Sequence, residues 1–178
     1  MKTFFQKQLF ALVLGLIDGI LTVLTLATGK VLTTNGESFS LSLALRVAFV
    51  TAISGSFVYF ISEYSRQRNL LIHAEKELNL ASHGKLAVSN LGKQILKQTW
   101  MSVIVSGSFS FLGAFIPISG AVFFPGQSWL SIVIALLILA LLGFSVAKLV
   151  YGNTFLWMIT LVCAGIAVSF IGYKLHVI

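Results

Sequence analysis

Hydrophobic positions along the chain gather into five long runs, at about 9–28, 41–63, 100–119, 128–149 and 154–174. Each is near or above the roughly 20 residues an α-helix needs to cross about 30 Å of hydrocarbon at about 1.5 Å per residue. Polar residues do not alternate with apolar ones inside the runs, so none reads as a half-buried strand, and no internal repeat is evident. The pattern predicts an all-α membrane protein in which residues 1–178 form one transmembrane domain of five helices.

The breaks between runs carry turn chemistry. Thr33-Thr34-Asn35-Gly36-Glu37-Ser38 reads as a short exposed loop, and Phe124-Pro125-Gly126-Gln127 as a tight uncharged turn. Pro117 closes the third run, and Tyr151-Gly152-Asn153 separates the fourth from the fifth. The first run follows Lys2 and Lys7 and extends from Leu9 to Thr28 without a small-residue cleavage site, so it is expected to be a spanning helix rather than a removable signal.

The stretch from about 65 to 98 differs. It carries Arg66, Arg68, Lys76, Lys85, Lys93 and Lys97 against Glu75 and Glu77. Leu70, Leu71, Ala74 and Leu78 recur near helical spacing, as do Leu91, Ile95 and Leu86, with Gly84 between two pieces. This predicts an amphipathic helical cytosolic connection between helices 2 and 3, either skirting the membrane or collecting a ligand. With it in the cytoplasm, Lys2, Lys7 and Lys148 join it on the inside. Nine of the twelve Lys and Arg residues are then cytoplasmic, and Lys30, Arg46 and Lys174 are outside. The expected chain is thus a multi-pass protein of a prokaryotic cell membrane, N-terminus cytoplasmic and C-terminus outside.

Composition supports lipid over water as the solvent. The chain is 57% hydrophobic and 10% charged, whereas soluble domains are roughly half apolar and a quarter charged. The net charge of +7 lies between apolar runs and not on a continuous basic face, which excludes a nucleic-acid partner as its explanation. Cys163, the single cysteine, lies inside an apolar run and is read as a small packing residue. Trp100, Trp129 and Trp157 fall near span ends, as interface anchors do.

Asp18 carries the most chemistry. It lies about 14 Å into the first helix, near the bilayer midplane, where an ionisable group costs at least about 2.5 kcal/mol and should face a partner, a cavity or a pathway. Either it is hydrogen-bonded to a neighbouring helix, or it serves transport. Thr22 and Thr25 share its stripe as candidate pathway residues, although threonine in a membrane helix also bonds its own i−4 carbonyl. Gly15 and Gly19 allow close approach of another backbone, and a twin of the same helix is the expected neighbour. Glu63 is a second acid, one turn after Tyr59; His73, Glu75, Glu77 and His83 follow without forming a recognised ligand motif. Ser102, Ser106, Ser110 and Ala114 form a small-residue ridge suited to close packing, as do Gly165, Ser169 and Gly172. No nucleophile–base pair, phosphate loop or cofactor motif is present, so no enzyme and no cofactor are expected.

Several of these segments resemble the vacuolar iron transporter family. Leu14-Gly15-Leu16-Ile17-Asp18-Gly19 with Thr25-Leu26-Ala27-Thr28-Gly29 is similar to its first-helix Asp-Gly signature. Ser62-Glu63-Tyr64 and the run to Glu77 are similar to the end of its second helix and the start of its cytosolic helices. The stretch from Ser106 to Pro117 is similar to its third helix. The resemblance implies a homodimer that moves Fe2+ or Mn2+ out of the cytosol in exchange for protons. In it, Asp18 would be the midplane metal and proton site, Glu63 would guard the cytosolic mouth, and Glu75 and Glu77 would collect metal. Two positions depart from the family pattern: Ile17 replaces the Asn before the first-helix Asp, and Tyr59 replaces a metal-binding Met.

Overall fold

The computed structural model describes residues 2–33, 40–77, 89–123 and 129–174, with side chains described except at 2–7, 30–33 and 121. The described residues form five helices: α1 (Lys2–Thr33), α2 (Leu41–Glu77), α3 (Asn90–Phe123), α4 (Leu130–Val150) and α5 (Thr154–Lys174). There is no strand among them. All five are long and apolar enough to cross a membrane, and the protein is a multi-pass integral membrane protein. Helices suit that setting because each satisfies its own backbone hydrogen bonds where no water is at hand.

The first three helices overrun the apolar runs: α1 covers Lys2–Thr33 rather than 9–28, and α3 begins at Asn90 rather than near 100. α2 does not end near Glu63 but continues unbroken to Glu77, 37 residues in all. At about 55 Å it is nearly twice the hydrocarbon thickness. The reason is local: no glycine or proline occurs between Gly55 and Gly84 to stop it. The described parts of the 65–98 connection are therefore prolongations of α2 and α3 rather than separate helices. Leu78, Gly84, Lys85 and Leu86 lie outside the described residues, as do the expected turns at 34–38 and 124–127. A further difference is at Pro117, which is buried inside α3, and the helix runs past it to Phe123. Packed neighbours allow proline inside membrane helices, where an isolated helix would break.

In the prolongation of α2, the buried positions are Gln67 and Glu75, with Leu71 half-buried between them. Leu70 and Leu91, which the spacing placed on an apolar stripe, are 58% and 51% exposed. The inward face is thus set by the 67–71–75 register, and it is polar at both ends.

α1 is central and touches each of the other helices, α3 most extensively; α3 packs along α1 and α2 together, while α1 and α2 meet each other less. One core joins Val23 and Ala27 of α1 to Ala44 and Ala48 of α2 and to Ala114 and Ile118 of α3. A second joins Ile20 and Leu24 of α1 to Ala135, Leu139 and Leu142 of α4. Outside these cores Phe49, Val50, Ile53 and Phe57 of α2 and Phe155 and Leu156 of α5 are exposed, an arrangement that lipid tolerates and water does not. Cys163 is exposed too, a surface residue of α5 and not the packing residue expected.

The glycines of α1 decide how close α3 comes. A Cβ at Gly15 would meet the backbone carbonyl of Ser106, and one at Gly19 the carbonyl of Ser110. The ridge of Ser102, Ser106, Ser110 and Ala114 is buried along its length. In lipid, where apolar burial drives little association, such backbone proximity supplies the van der Waals contact. Gly15 and Gly19, expected to receive a twin of α1, are occupied by α3 of the same chain. The break before α5 has the predicted turn chemistry. Tyr151 takes the left-handed conformation (φ 53°) at the end of α4, the Gly152 N–H donates to the Ala147 carbonyl at 2.9 Å, and Asn153 Oδ1 accepts from the Phe155 N–H at 3.2 Å.

Candidate functional site

α1 and α2 both lean on α3 more than on each other, and a cleft lies between them. It has a volume of about 280 Å³ and is lined by Leu14 and Asp18 of α1, by Ser54, Gly55, Val58, Tyr59 and Ser62 of α2, and by Ser106 of α3. Leu14 and Val58 are apolar; most of the others bring oxygen atoms or, at Gly55, open space.

The Asp18 carboxylate is held from the α3 side. The fully buried Ser110 hydroxyl donates to Asp18 Oδ2 at 3.1 Å and lies 3.5 Å from the Thr51 carbonyl of α2. From the α2 side, Gly55 lies against the same carboxylate oxygen: a Cβ there would meet Asp18 Oδ2, with Ser110 Oγ at 3.3 Å. Three helices thus converge on one acid. Ser54 Oγ donates to the Thr51 carbonyl at 3.2 Å, which leaves its lone pairs free to accept. Tyr59 hydrogen-bonds Ser102 of α3.

Other sequence-predicted site residues are placed differently. Thr22 Oγ1 donates to the Asp18 carbonyl at 2.9 Å and Thr25 Oγ1 to the Leu21 carbonyl at 3.0 Å. Both hydroxyls spend their hydrogens on their own helix, and neither residue lines the cleft. The backbone at Thr25 instead receives Gly172 of α5. Glu63 is engaged by its own helix: Arg66 makes a two-pronged bond, Nη2 to Oε1 at 2.7 Å and Nε to Oε2 at 2.9 Å, and Gln67 Nε2 donates to Oε1 at 2.6 Å. Glu75 is fully buried and Glu77, at the end of α2, is exposed, so the two acids do not share a face. Among the described residues no three of His, Cys, Asp and Glu converge where they could hold a metal. Asp18 and Tyr59 are brought to one cleft; Glu63, Glu75 and Glu77 are not part of it.

Gly55, Ser54 and Ser110 are the site residues that the sequence did not single out as such. Their signal is present in retrospect: Ser54-Gly55-Ser56 is a small polar triplet in the middle of an otherwise bulky apolar helix. No protein-family model, no curated protein and no solved structure matches the chain.

Proposed function

We propose that the protein is a membrane transporter that moves a divalent metal ion, Fe2+ or Mn2+, out of the cytoplasm in exchange for protons, with Asp18 as the exchange site. The observation that carries this reading is the placement of an acid in an oxygen-bearing cleft between α1 and α2, which meet each other far less than either meets α3. A carboxylate binds a cation only when deprotonated, so metal and proton compete for the same oxygens. Carboxylate and hydroxyl oxygens suit Mg2+, Ca2+ and Mn2+, and also Fe2+ where a softer ligand assists. The outward direction rests on the resemblance to the vacuolar iron transporter family, while the basic residues, nine of twelve on one side, assign that side to the cytoplasm. Arg66, Gln67 and the rest of the α2 prolongation stand on that same side. A homodimer fits this reading, although α1 does not offer its glycines to a second copy.

Proteoliposomes loaded with a pH dye test it. An imposed Mn2+ or Fe2+ gradient should drive proton movement in the opposite direction, and its absence with well-incorporated protein would overturn the assignment. A second reading is favoured by one observation, the Ser110–Asp18 hydrogen bond. In a non-transporting membrane scaffold, Asp18 would serve only to tie α1 to α3. The same experiment separates the two, since a scaffold gives no metal-dependent flux.

A further inference from the structure

The cleft is too poor in acids to strip a divalent ion. A bare ion of this class takes about six oxygen ligands, and Mg2+-like ions shed water reluctantly, keeping several waters when one or two carboxylates hold them. The cleft offers one carboxylate, and one of its oxygens already accepts from Ser110. Among the described residues no second and third acid, His or Cys joins it.

What the cleft does offer matches the outside of a hydrated ion. Coordinated waters point their hydrogens outward and need acceptors around them. Asp18 is an acceptor, and Ser54 has its hydrogen turned to its own helix and its lone pairs left over. Space at the carboxylate is set by Gly55, where any side chain would run into Asp18 Oδ2.

We propose that the cleft takes its divalent cation with the water shell largely kept, Asp18 supplying the charge and Gly55 the room. This rests on the cation-carrier reading above and adds the state in which the cargo is recognised. Selectivity would then follow ionic charge and hydrated size more than ligand softness.

Mn2+ binding to the full chain in lipid nanodiscs at low salt, read by electron paramagnetic resonance, tests the proposal. Hexaamminecobalt(III), an exchange-inert ion shaped like a hexahydrated cation, should displace bound Mn2+. In 17O-labelled water the bound Mn2+ line should broaden as for an ion that keeps most of its waters. Asp18→Asn should bind neither ion. Gly55→Ala should weaken both in parallel by about tenfold, the equivalent of about 1.4 kcal/mol of crowding. The 17O measurement needs no variant, so a Gly55→Ala protein that fails to fold leaves the test intact. Asp18-dependent Mn2+ binding that hexaamminecobalt(III) cannot displace, with little 17O broadening, would overturn the proposal and leave the carrier reading standing. Absence of any Asp18-dependent Mn2+ binding would overturn both.

Discussion

Asp18 and Glu63 both lie near Tyr59, one across the cleft and the other a helical turn along α2, yet their surroundings differ in kind. Asp18 meets a neutral hydroxyl from another helix and an open cleft. Glu63 meets a guanidinium fork and an amide from its own helix. A carboxylate whose countercharge is built into the chain has little left for a mobile cation, because a bidentate Arg pair already satisfies both oxygens. A carboxylate held only by a neutral donor is positioned without being neutralised. Depth sharpens the contrast, since a charge near the midplane is costly unless a cation or a proton arrives. The two acids were joined in one expected metal pathway; the geometry gives Asp18 an open cleft and Glu63 an ion pair within its own helix.

The largest effect expected from this contrast is on Asp18 itself. Asp18→Asn keeps the size and a hydrogen-bonding group for Ser110 while removing the charge, so the oligomeric state and helix content should be those of the wild type. Metal-driven proton flux in proteoliposomes should fall to the level of empty vesicles. Glu63→Gln should keep flux within about tenfold of wild type, or about 1.4 kcal/mol in barrier terms. Equal loss in both variants, at equal protein levels, would erase the distinction between the two acids.

Next in size is the support behind Asp18. Gly19 is adjacent to it in sequence and faces the Ser110 carbonyl so closely that a methyl group has no room. Gly19→Ala should cost about 1–3 kcal/mol through overpacking, seen as a lower temperature of aggregation in detergent. A Cβ at Gly55 would meet a side chain rather than backbone, so Gly55→Ala should shift the aggregation temperature less than Gly19→Ala does. The reverse order would mean that the α1–α3 seam is not where the bundle is tightest.

Much of the fold was legible because lipid imposes a simple rule, that long apolar runs become helices with satisfied backbones. The five spans and the turn at Tyr151-Gly152-Asn153 followed from length and turn chemistry alone. What periodicity could not reveal was partnership. Gly15 and Gly19 announce a close neighbour, but nothing local tells a twin helix from α3, some ninety residues away in the pairing of Asp18 with Ser110. The end of α2 was misplaced because hydropathy falls at Glu63 while helix propensity does not, and only the former marks the membrane boundary. Leu70 was misassigned because two overlapping registers fit the same stretch, and burial chose the one containing Gln67 and Glu75. Asp18 stood out as an anomaly in its run; Gly55 did not, since a glycine shows nothing of what it makes room for.

A smaller effect is expected at Arg66. Its side chain is 52% exposed while that of Glu63 is 13% exposed. The pair is therefore screened on one side, and Arg66→Ala should change stability by about 1 kcal/mol or less. Flux should then resemble wild type if the pair is only a tie within α2. Greatly increased metal binding on this substitution would instead show that Arg66 withholds Glu63 from the cargo, and the two acids would belong to one pathway after all.

The smallest effect belongs to the threonines, and it bears on what kind of oxygen matters near Asp18. Thr22 and Thr25 lie four and seven residues beyond it, positions that an ideal helix places on its side. Each hydroxyl donates to the carbonyl four residues earlier, at 2.9 and 3.0 Å. Such a bond adds little to a helix whose backbone is already satisfied, and can bend it slightly. Thr22→Val and Thr25→Val preserve shape and remove only the hydroxyl. Flux and Mn2+ binding should stay within about twofold of wild type, because no oxygen of the cleft is lost. Ser54→Ala removes an acceptor that does line the cleft, and it should weaken Mn2+ binding where the threonine variants do not. Should either threonine variant weaken binding as much as Ser54→Ala, cargo must travel along α1 beyond the cleft, and Asp18 would mark one station of a longer path.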